Sequence, residues 1–484
     1  MKRNISMMLC LSLIAASAVS CAGGSDQTPT ETQQTTTEPV VTEEVIPLPE
    51  ADFGAADFKI LTAAEQWQSF YTAEQTGEPI DDAVFNRNRA VEERYNVNLD
   101  YQVYNGYNAG KEAVRTAITG SVMGGSAEFD LMVGGVSYVT PLTMDNVFTD
   151  LYQFDVLAFD QPWWYSYINN ELELCEKLYL GSGAYGMLAT ANAIVTYFNK
   201  QVAENHNMED LYTLVNDGKW TFEKMSELSK TVSADLNGDG KYAAEDLIGI
   251  ISTSDYMSFL VNSMGYFYTN RTDGGRIHLN EPAEKLIDIS ARLNDLLAAN
   301  YYIDAQDLGS TQTSDDVYQN MMNMFSSDQA LFMMHRLEFA TRETMRNMEK
   351  YGILPTPKYD EAQTSYLTSV VNDVAALPGV VKDTDMSATI LEALQYYTYT
   401  LVQPQYFEIA LKRKGTRDEA SLEMLELIFD TPVCDFTYMY LDLIGSELFM
   451  GINQKNYASW AEKNYKKFRT NIEKIVSTVE GFES

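Results

Sequence analysis

An alternation of strand and helix signals between residues 58 and 133 constrains this chain more than any other feature. Phe58-Lys59-Ile60-Leu61 reads as a short apolar strand, followed by a polar loop with Glu65, Gln66 and Trp67. Val84, Asn88, Val91 and Tyr95 then recur at helical spacing, and Val97 to Val103 alternates strictly, as a strand does. A second helix is expected near Lys111 to Thr119. Phe129 to Val133 reads as a third strand, running into Gly134-Gly135. This β-α-β-α-β order predicts an α/β lobe in which helices cover a sheet. In such sheets ligands gather outside the carboxyl ends of the strands, which singles out the loops holding Trp67 and Ser137-Tyr138.

The chain before that lobe does not read as core. Lys2 and Arg3 precede an apolar stretch, Ile5 to Ala18, too short to span a bilayer, so residues 1–20 are expected to be a secretory signal. Small residues lead into Cys21 in a pattern that resembles a bacterial lipobox, with Ala18 where Leu is usual. The resemblance implies that Cys21 is acylated and becomes the mature N-terminus; an ordinary signal peptide cut nearby is the alternative. Residues 21–56 hold many Thr and Glu and few apolar side chains, too little to offset the entropy of ordering. They read as a disordered tether that gives a folded body reach. The expected location is the cell envelope, lipid-anchored to the outer face of the cytoplasmic membrane.

From Asp57 onward the chain is too long for one comfortable core and suits two or more lobes. A net charge of −35 argues against nucleic acid and against docking on anionic lipid, leaving the anchor as the expected membrane attachment. Two of the 4 cysteines fall in the leader and anchor; Cys175 and Cys434 are expected to be ordinary thiols rather than a bridge. The 3 histidines are scattered, and no HExxH, G-x-S-x-G or P-loop pattern occurs. The chain is therefore not expected to be an enzyme. A dispersed carboxylate pair of the glycosidase kind stays open.

The sharpest local motif is Asp235-Leu236-Asn237-Gly238-Asp239-Gly240-Lys241, ending at Asp246. Asp235, Asn237 and Asp239 would offer side-chain oxygens, Lys241 its carbonyl and Asp246 the closing carboxylate, with Gly240 permitting the sharp turn. The spacing predicts a structural Ca²⁺ loop. Asp in place of the longer Glu at the end, and Ala243 at loop position nine, are departures; a solvated Asp-Gly turn is the alternative.

Six segments in register resemble the extracellular solute-binding proteins of family 1, the maltose-binding-protein-like lipoproteins of ABC sugar importers. They are Glu128-Phe129-Asp130-Leu131-Met132, Ile194 to Lys200, Gly218-Lys219-Trp220-Thr221-Phe222, Ala330 to Met333, and the Gly352 to Pro357 turn, after the opening strand and helix. The resemblance implies an α/β, two-lobed periplasmic-binding-protein-like (type II) clamshell with hinge crossings near Ile194–Lys200, Ser365–Pro378 and Phe429–Asp435. Lobe 1 would comprise residues 57–195 and 378–430, and lobe 2 residues 196–377 and 431–484. It further implies a monomer that captures a carbohydrate, an oligosaccharide by expectation, and delivers it to ABC importer permease subunits. A peptide or polyamine ligand, a surface glycan-processing enzyme and an adhesive lipoprotein remain alternatives.

Sugars present apolar faces and rings of hydroxyls, best held by aromatic planes and planar polar groups. On the placement the resemblance implies, the ligand-binding candidates are Glu65, Trp67, Tyr138, Trp163, Trp164, Asn192, Tyr266, His335, Arg336, Glu338, Asn372 and Asp373. Each has a packing alternative: the tryptophans as core, Arg336 as partner of a nearby Glu. Met321, Met322 and Met324 read as core filler, and Tyr396 to Tyr399 as a packing segment.

Overall fold

The computed structural model describes residues 47–63, 70–104, 107–185, 190–272, 275–308, 314–371, 373–412 and 419–483. Glu50–Ser484 forms one compact unit. The expected signal segment, Cys21 and most of the tether lie outside the described residues.

β1 (Ala56–Ala63) and β2 (Val97–Tyr104) pair in parallel, from Ala56 opposite Val97 to Ala63 opposite Tyr104. β3 (Leu131–Gly135) lies parallel on the other edge of β1. Helices Pro79–Tyr95 and Tyr107–Met123 make the crossovers. Pro at the first turn and Asp81 and Asp82 beside the positive helix end suit the first of these. Its Val84, Asn88, Val91 and Tyr95 are all buried, as the spacing predicts. The third strand starts two residues later than expected. Asp130 binds Lys59 both ways, its N–H to the Lys59 carbonyl and its carboxylate from the Lys59 N–H at 2.8 Å.

The chain first crosses near Ala193, which bridges Val370 antiparallel. β4 (Ile194–Asn199) and β5 (Ile248–Ser252) follow, then the hairpin β6 (Thr269–Arg271) and β7 (Ile277–Leu279). After them come β8 (Tyr302–Asp304), β9 (Ala330–Arg336) and β10 (Tyr351–Pro355). A second sheet takes the order β10-β4-β9-β5-β8. Its central strands are buried along nearly their whole length, the near-continuous apolar runs of a sheet covered on both faces. Trp220 is fully buried beneath it and donates its indole N–H to the Pro355 carbonyl at 2.9 Å. Thr221 caps helix Phe222–Val232, accepting the Lys224 N–H. The segment from Gly352, expected as a turn, is strand β10, antiparallel to β4. Gly352 fits there because the Phe198 and Tyr212 rings fill the space a Cβ would take.

β11 (Thr368–Ser369) runs parallel to β13 (Pro432–Val433), so the crossings lie side by side. Between them β12 (Asp373–Ala376) joins the first sheet antiparallel to β3, giving the order β12-β3-β1-β2. The expected division kept this segment in lobe 2; its apolar Val374-Ala375-Ala376 covers the open edge of β3 at once after the crossing. Helix Thr384–Tyr397 packs on helix Pro79–Tyr95. Helix Glu419–Asp430, expected in lobe 1, packs instead on β10 of the second sheet, with Tyr212 Oη and Ser421 Oγ 2.9 Å apart. The last helix, Tyr457–Glu480, buries Tyr457, Ala461, Tyr465, Phe468, Ile472 and Val479 on one stripe against β7. The result is two α/β lobes joined by crossings that lie side by side. Met321, Met322 and Met324 are core. Cys175 and Cys434 are free thiols, the first partly exposed and the second buried. Among the described residues, no helix is long and apolar enough to cross a membrane.

Candidate ligand cleft

Each lobe turns toward the crossings the end of its sheet where strands stop and loops begin. On the first lobe β3 ends at Gly135, opposite Asp373 at the start of β12. Tyr138 sits in the short helix Val136–Val139 rather than in a loop, and its ring folds back over Gly134. A Cβ at Gly134 would stand 1.5 Å from the Tyr138 hydroxyl, so only glycine permits this approach. Burial first, and then the Asp373 charge, raises the Tyr138 phenol well above its ordinary value. It stays a neutral hydrogen-bonding hydroxyl.

On the second lobe β9 ends at Arg336, opposite Ile194, the first residue of β4 after the crossing. β5 and β8 run parallel to β9 and stop on the same side, at Ser252 and Asp304. His335 and Arg336, expected to follow this strand, are its last two residues, and Glu338 stands in the short helix Leu337–Thr341 just beyond it. Arg336 Nη2 lies 2.9 Å from Glu338 Oε1, and Arg342 Nη2 shares that oxygen at 3.4 Å. His335 is fully buried and stacked between Tyr256 (centroids 3.8 Å) and Phe339 (3.9 Å), with the Tyr318 edge at 4.7 Å. Neither ring nitrogen has a hydrogen-bond partner. Burial, then the charges of Arg336 and Arg342, holds the imidazole well below its ordinary range. A neutral ring carries one donor and one acceptor.

Further unpartnered buried oxygens stand on or beside this wall: Thr253 Oγ1, Asp255 Oδ1, Tyr302 Oη, and Asn192 Oδ1 at the crossing. Asp255, Tyr256, Tyr302 and Tyr318 were not found by sequence reasoning. The same rule that singled out Tyr138, looking just past a strand's carboxyl end, would have found Asp255 and Tyr256 had Ile248–Ser252 been read as a strand. A small crevice beside the crossing, lined by Thr190, Ala191, Leu337, Glu338, Tyr406 and Phe407, brings the two lobes together next to this wall.

Other candidates fall elsewhere. Trp163 and Trp164 are 4% and 3% exposed, and both indole N–H groups donate to Glu392, at 2.7 and 2.8 Å. Their rings pack on Tyr396 and Phe159. Adjacent tryptophans that share one buried carboxylate are core, which corrects the expectation that one ring faces a ligand. Tyr266 is also turned inward: its hydroxyl donates to the Glu281 carbonyl and its ring meets the edge of Tyr268. Glu65, Trp67 and Asn372 lie outside the described residues.

In the Asp235 loop the side chains hold backbone N–H groups. Asp235 accepts from Gly238 and Gly240, Asn237 from Asp239, and Asp239 from Lys241, at 2.7–2.8 Å. Asp246 accepts from Leu236 and Ala243, both at 2.9 Å. Gly238 and Gly240 take positive φ, +74° and +78°. Among the described residues, no three His, Cys, Asp or Glu side chains group as a metal site.

No protein-family model matches the chain, and no curated protein matches it. Solved structures do. An ABC substrate-binding protein from Listeria monocytogenes, in complex with cycloalternan, superposes with TM-score 0.52 at 14% identity, over 87% of this chain and 99% of its own. The maltose/maltodextrin-binding domain from Bdellovibrio bacteriovorus, bound to maltotriose, gives 0.51 at 15%, over 87% and 100%. A sugar transporter from Rhizobium etli in an open conformation gives 0.56 at 12%, over 88% and 99%. At these identities the likeness defines the class of architecture: this chain has the two-lobed fold of the sugar-binding substrate-binding proteins of ABC importers, as the sequence resemblance implied.

Proposed function

We propose that the protein is the lipid-anchored substrate-binding component of an ABC importer, capturing a carbohydrate between its lobes for delivery to permease subunits. One observation carries this reading. Unpartnered buried hydroxyl, imidazole and carboxylate groups stand with tyrosine rings at the strand ends that flank the crossings. Sugar hydroxyls both donate and accept, so they suit a wall where donors and acceptors are mixed. Ligand bridging the two walls would shift the open–closed population toward closed.

The test is thermal unfolding of the full chain against a panel of mono- and oligosaccharides. A ligand at about one hundred times its Kd stabilises the native state by about 2.7 kcal/mol. A clear upward shift with one saccharide series, without product formation, is the expected result. No shift with any saccharide, or a shift only with peptides or polyamines, refutes the carbohydrate reading; turnover of a glycan refutes the binding-only one.

The Ca²⁺ assignment belongs to this proposal too. The turn at Asp235–Asp246 is already closed by its own backbone donors, and a cation would draw those carboxylates together. The same scan with calcium and with chelator checks it: equal melting temperatures refute the site. Attachment through Cys21 is checked by membrane fractionation, since Cys21→Ser should release the chain from the membrane.

A further inference from the structure

Beside the cleft the two lobes meet through an ion pair whose halves are each fixed within their own lobe. Arg346 Nη1 lies 3.1 Å from Glu78 Oε2. Glu78 stands at the start of helix Pro79–Tyr95, which leads from β1 to β2. Arg346 stands on helix Glu343–Asn347, past the carboxyl end of β9.

The segment carrying Glu78 is tied down. Asp82 Oδ1 accepts the N–H groups of Thr76 and Gly77 at 2.8 and 3.1 Å, and Thr76 Oγ1 donates to Asp81 Oδ2 at 3.0 Å. Glu78 is the N-cap residue, yet its carboxylate accepts no N–H of its own helix. Side chains at that position commonly accept from the first helical turn. This one is turned to the other lobe. On the facing lobe, Arg336 and Arg342 both turn back to Glu338, at 2.9 and 3.4 Å. The Tyr197 hydroxyl accepts the Ala340 N–H at 3.1 Å and lies 2.9 Å from the Leu337 carbonyl, which pins the short helix Leu337–Thr341. Arg346, the next arginine along, crosses instead. Among the described residues, no carboxylate of its own lobe pairs with it.

Packing borders the pair. Helix Gln403–Lys412 packs on helix Pro79–Tyr95 in one lobe and on Leu337–Thr341 in the other. On that helix, burial first, and then the charges of Glu338 and Asp81, one from each lobe, raises the Tyr406 phenol above its ordinary value. Two side chains already positioned lose little freedom when they pair, so such a pair stands at the stronger end of surface ion pairs. With the lobes rotated apart both groups return to water, so the pair favours the closed state alone.

We propose, resting on the closure in the reading above and not on the class of ligand, that Glu78 and Arg346 form a latch that holds the two lobes closed.

The experiment is the interlobe distance distribution of the full chain without ligand, from labels at Met123→Cys and Leu236→Cys, both exposed, in a Cys175→Ser background. Glu78→Gln and Arg346→Gln, each alone, are expected to lower the closed-to-open ratio by about 2- to 5-fold. The double variant should lose no more than either single one, and exchanging the charges, Glu78→Arg with Arg346→Glu, should recover part of the ratio. Salt at about 1 M should lower the ratio in the parent and leave the double variant unchanged. Ratios unmoved in both single variants, or losses that add in the double variant, overturn the latch, while closure stands if a saccharide still shortens the distance. The salt comparison needs no variant, so a parent ratio unmoved by salt overturns the latch even where a substitution unfolds the chain. A parent whose distance neither salt nor any saccharide moves overturns closure and the latch together.

Discussion

Replacing Glu392 with alanine is expected to lower the unfolding free energy by about 3–5 kcal/mol, the range for breaking a buried charged network. Glu392 is 1% exposed on helix Thr384–Tyr397. Its Oε1 accepts the Trp163 indole N–H at 2.7 Å; its Oε2 accepts that of Trp164 at 2.8 Å and the Ala158 N–H at 3.3 Å. Alanine would leave two indole donors buried without acceptors and open a cavity between the tryptophans and the helix. Glu392→Gln keeps an oxygen for one indole but turns an NH₂ toward the other, so its loss should be smaller, about 1–3 kcal/mol. Urea unfolding at unchanged m-value reads both. An alanine variant within about 1 kcal/mol of the parent would show that the tryptophan pair is not held by this carboxylate.

The corresponding anchor of the second lobe is Asp435, 2% exposed and just past β13. Its Oδ1 accepts the Thr437 N–H at 2.8 Å and the Thr437 hydroxyl at 2.6 Å, capping helix Phe436–Met439. Its Oδ2 accepts the Tyr268 N–H at 2.9 Å and the Asn262 amide at 3.2 Å. Asp435→Ala orphans four donors, with an expected loss of about 3–5 kcal/mol. Asp435→Asn keeps one oxygen and most of the shape, and should recover at least half of it. The site also touches the hinge. The next residue, Phe436, donates its N–H to Glu171 on first-lobe helix Ser166–Leu172 at 3.1 Å. Burial first, then the Asp435 charge, raises Glu171 to about 7. Removing that charge favours the Glu171 carboxylate, but Asp435→Ala also frees the helix start that holds Phe436 in place, so the net expectation is a looser interlobe seam, seen as faster amide exchange at Phe436; unchanged stability and exchange would remove Asp435 from this role.

The first-lobe alternation was legible because each strand and helix there is local: a two-residue or a 3.6-residue period needs no distant partner. Lobe count and crossings were legible through the resemblance of six segments. What escaped was set by contacts distant in sequence. Asp373–Ala376 looks like more of the returning chain until β3 is seen to need an edge partner. Trp163 and Trp164 follow a polar Gln161-Pro162, and nothing nearby reveals that a carboxylate more than two hundred residues later takes both indole protons. The position of His335 and Arg336 beside the crossing was legible because the apolar run from Ala330 marks the strand they end. Tyr256 and Tyr318 were missed because the stack on His335 joins three separate chain segments.

The central claim is that a saccharide closes two lobes about side-by-side crossings. The most direct test is the distance between labels at Met123→Cys on the first lobe and Leu236→Cys on the second, both 66% exposed, in a Cys175→Ser background. With the saccharide that raises the melting temperature, the distance distribution should move to a shorter population and return when the sugar is removed. A distribution unchanged at saturating sugar would contradict capture by closure.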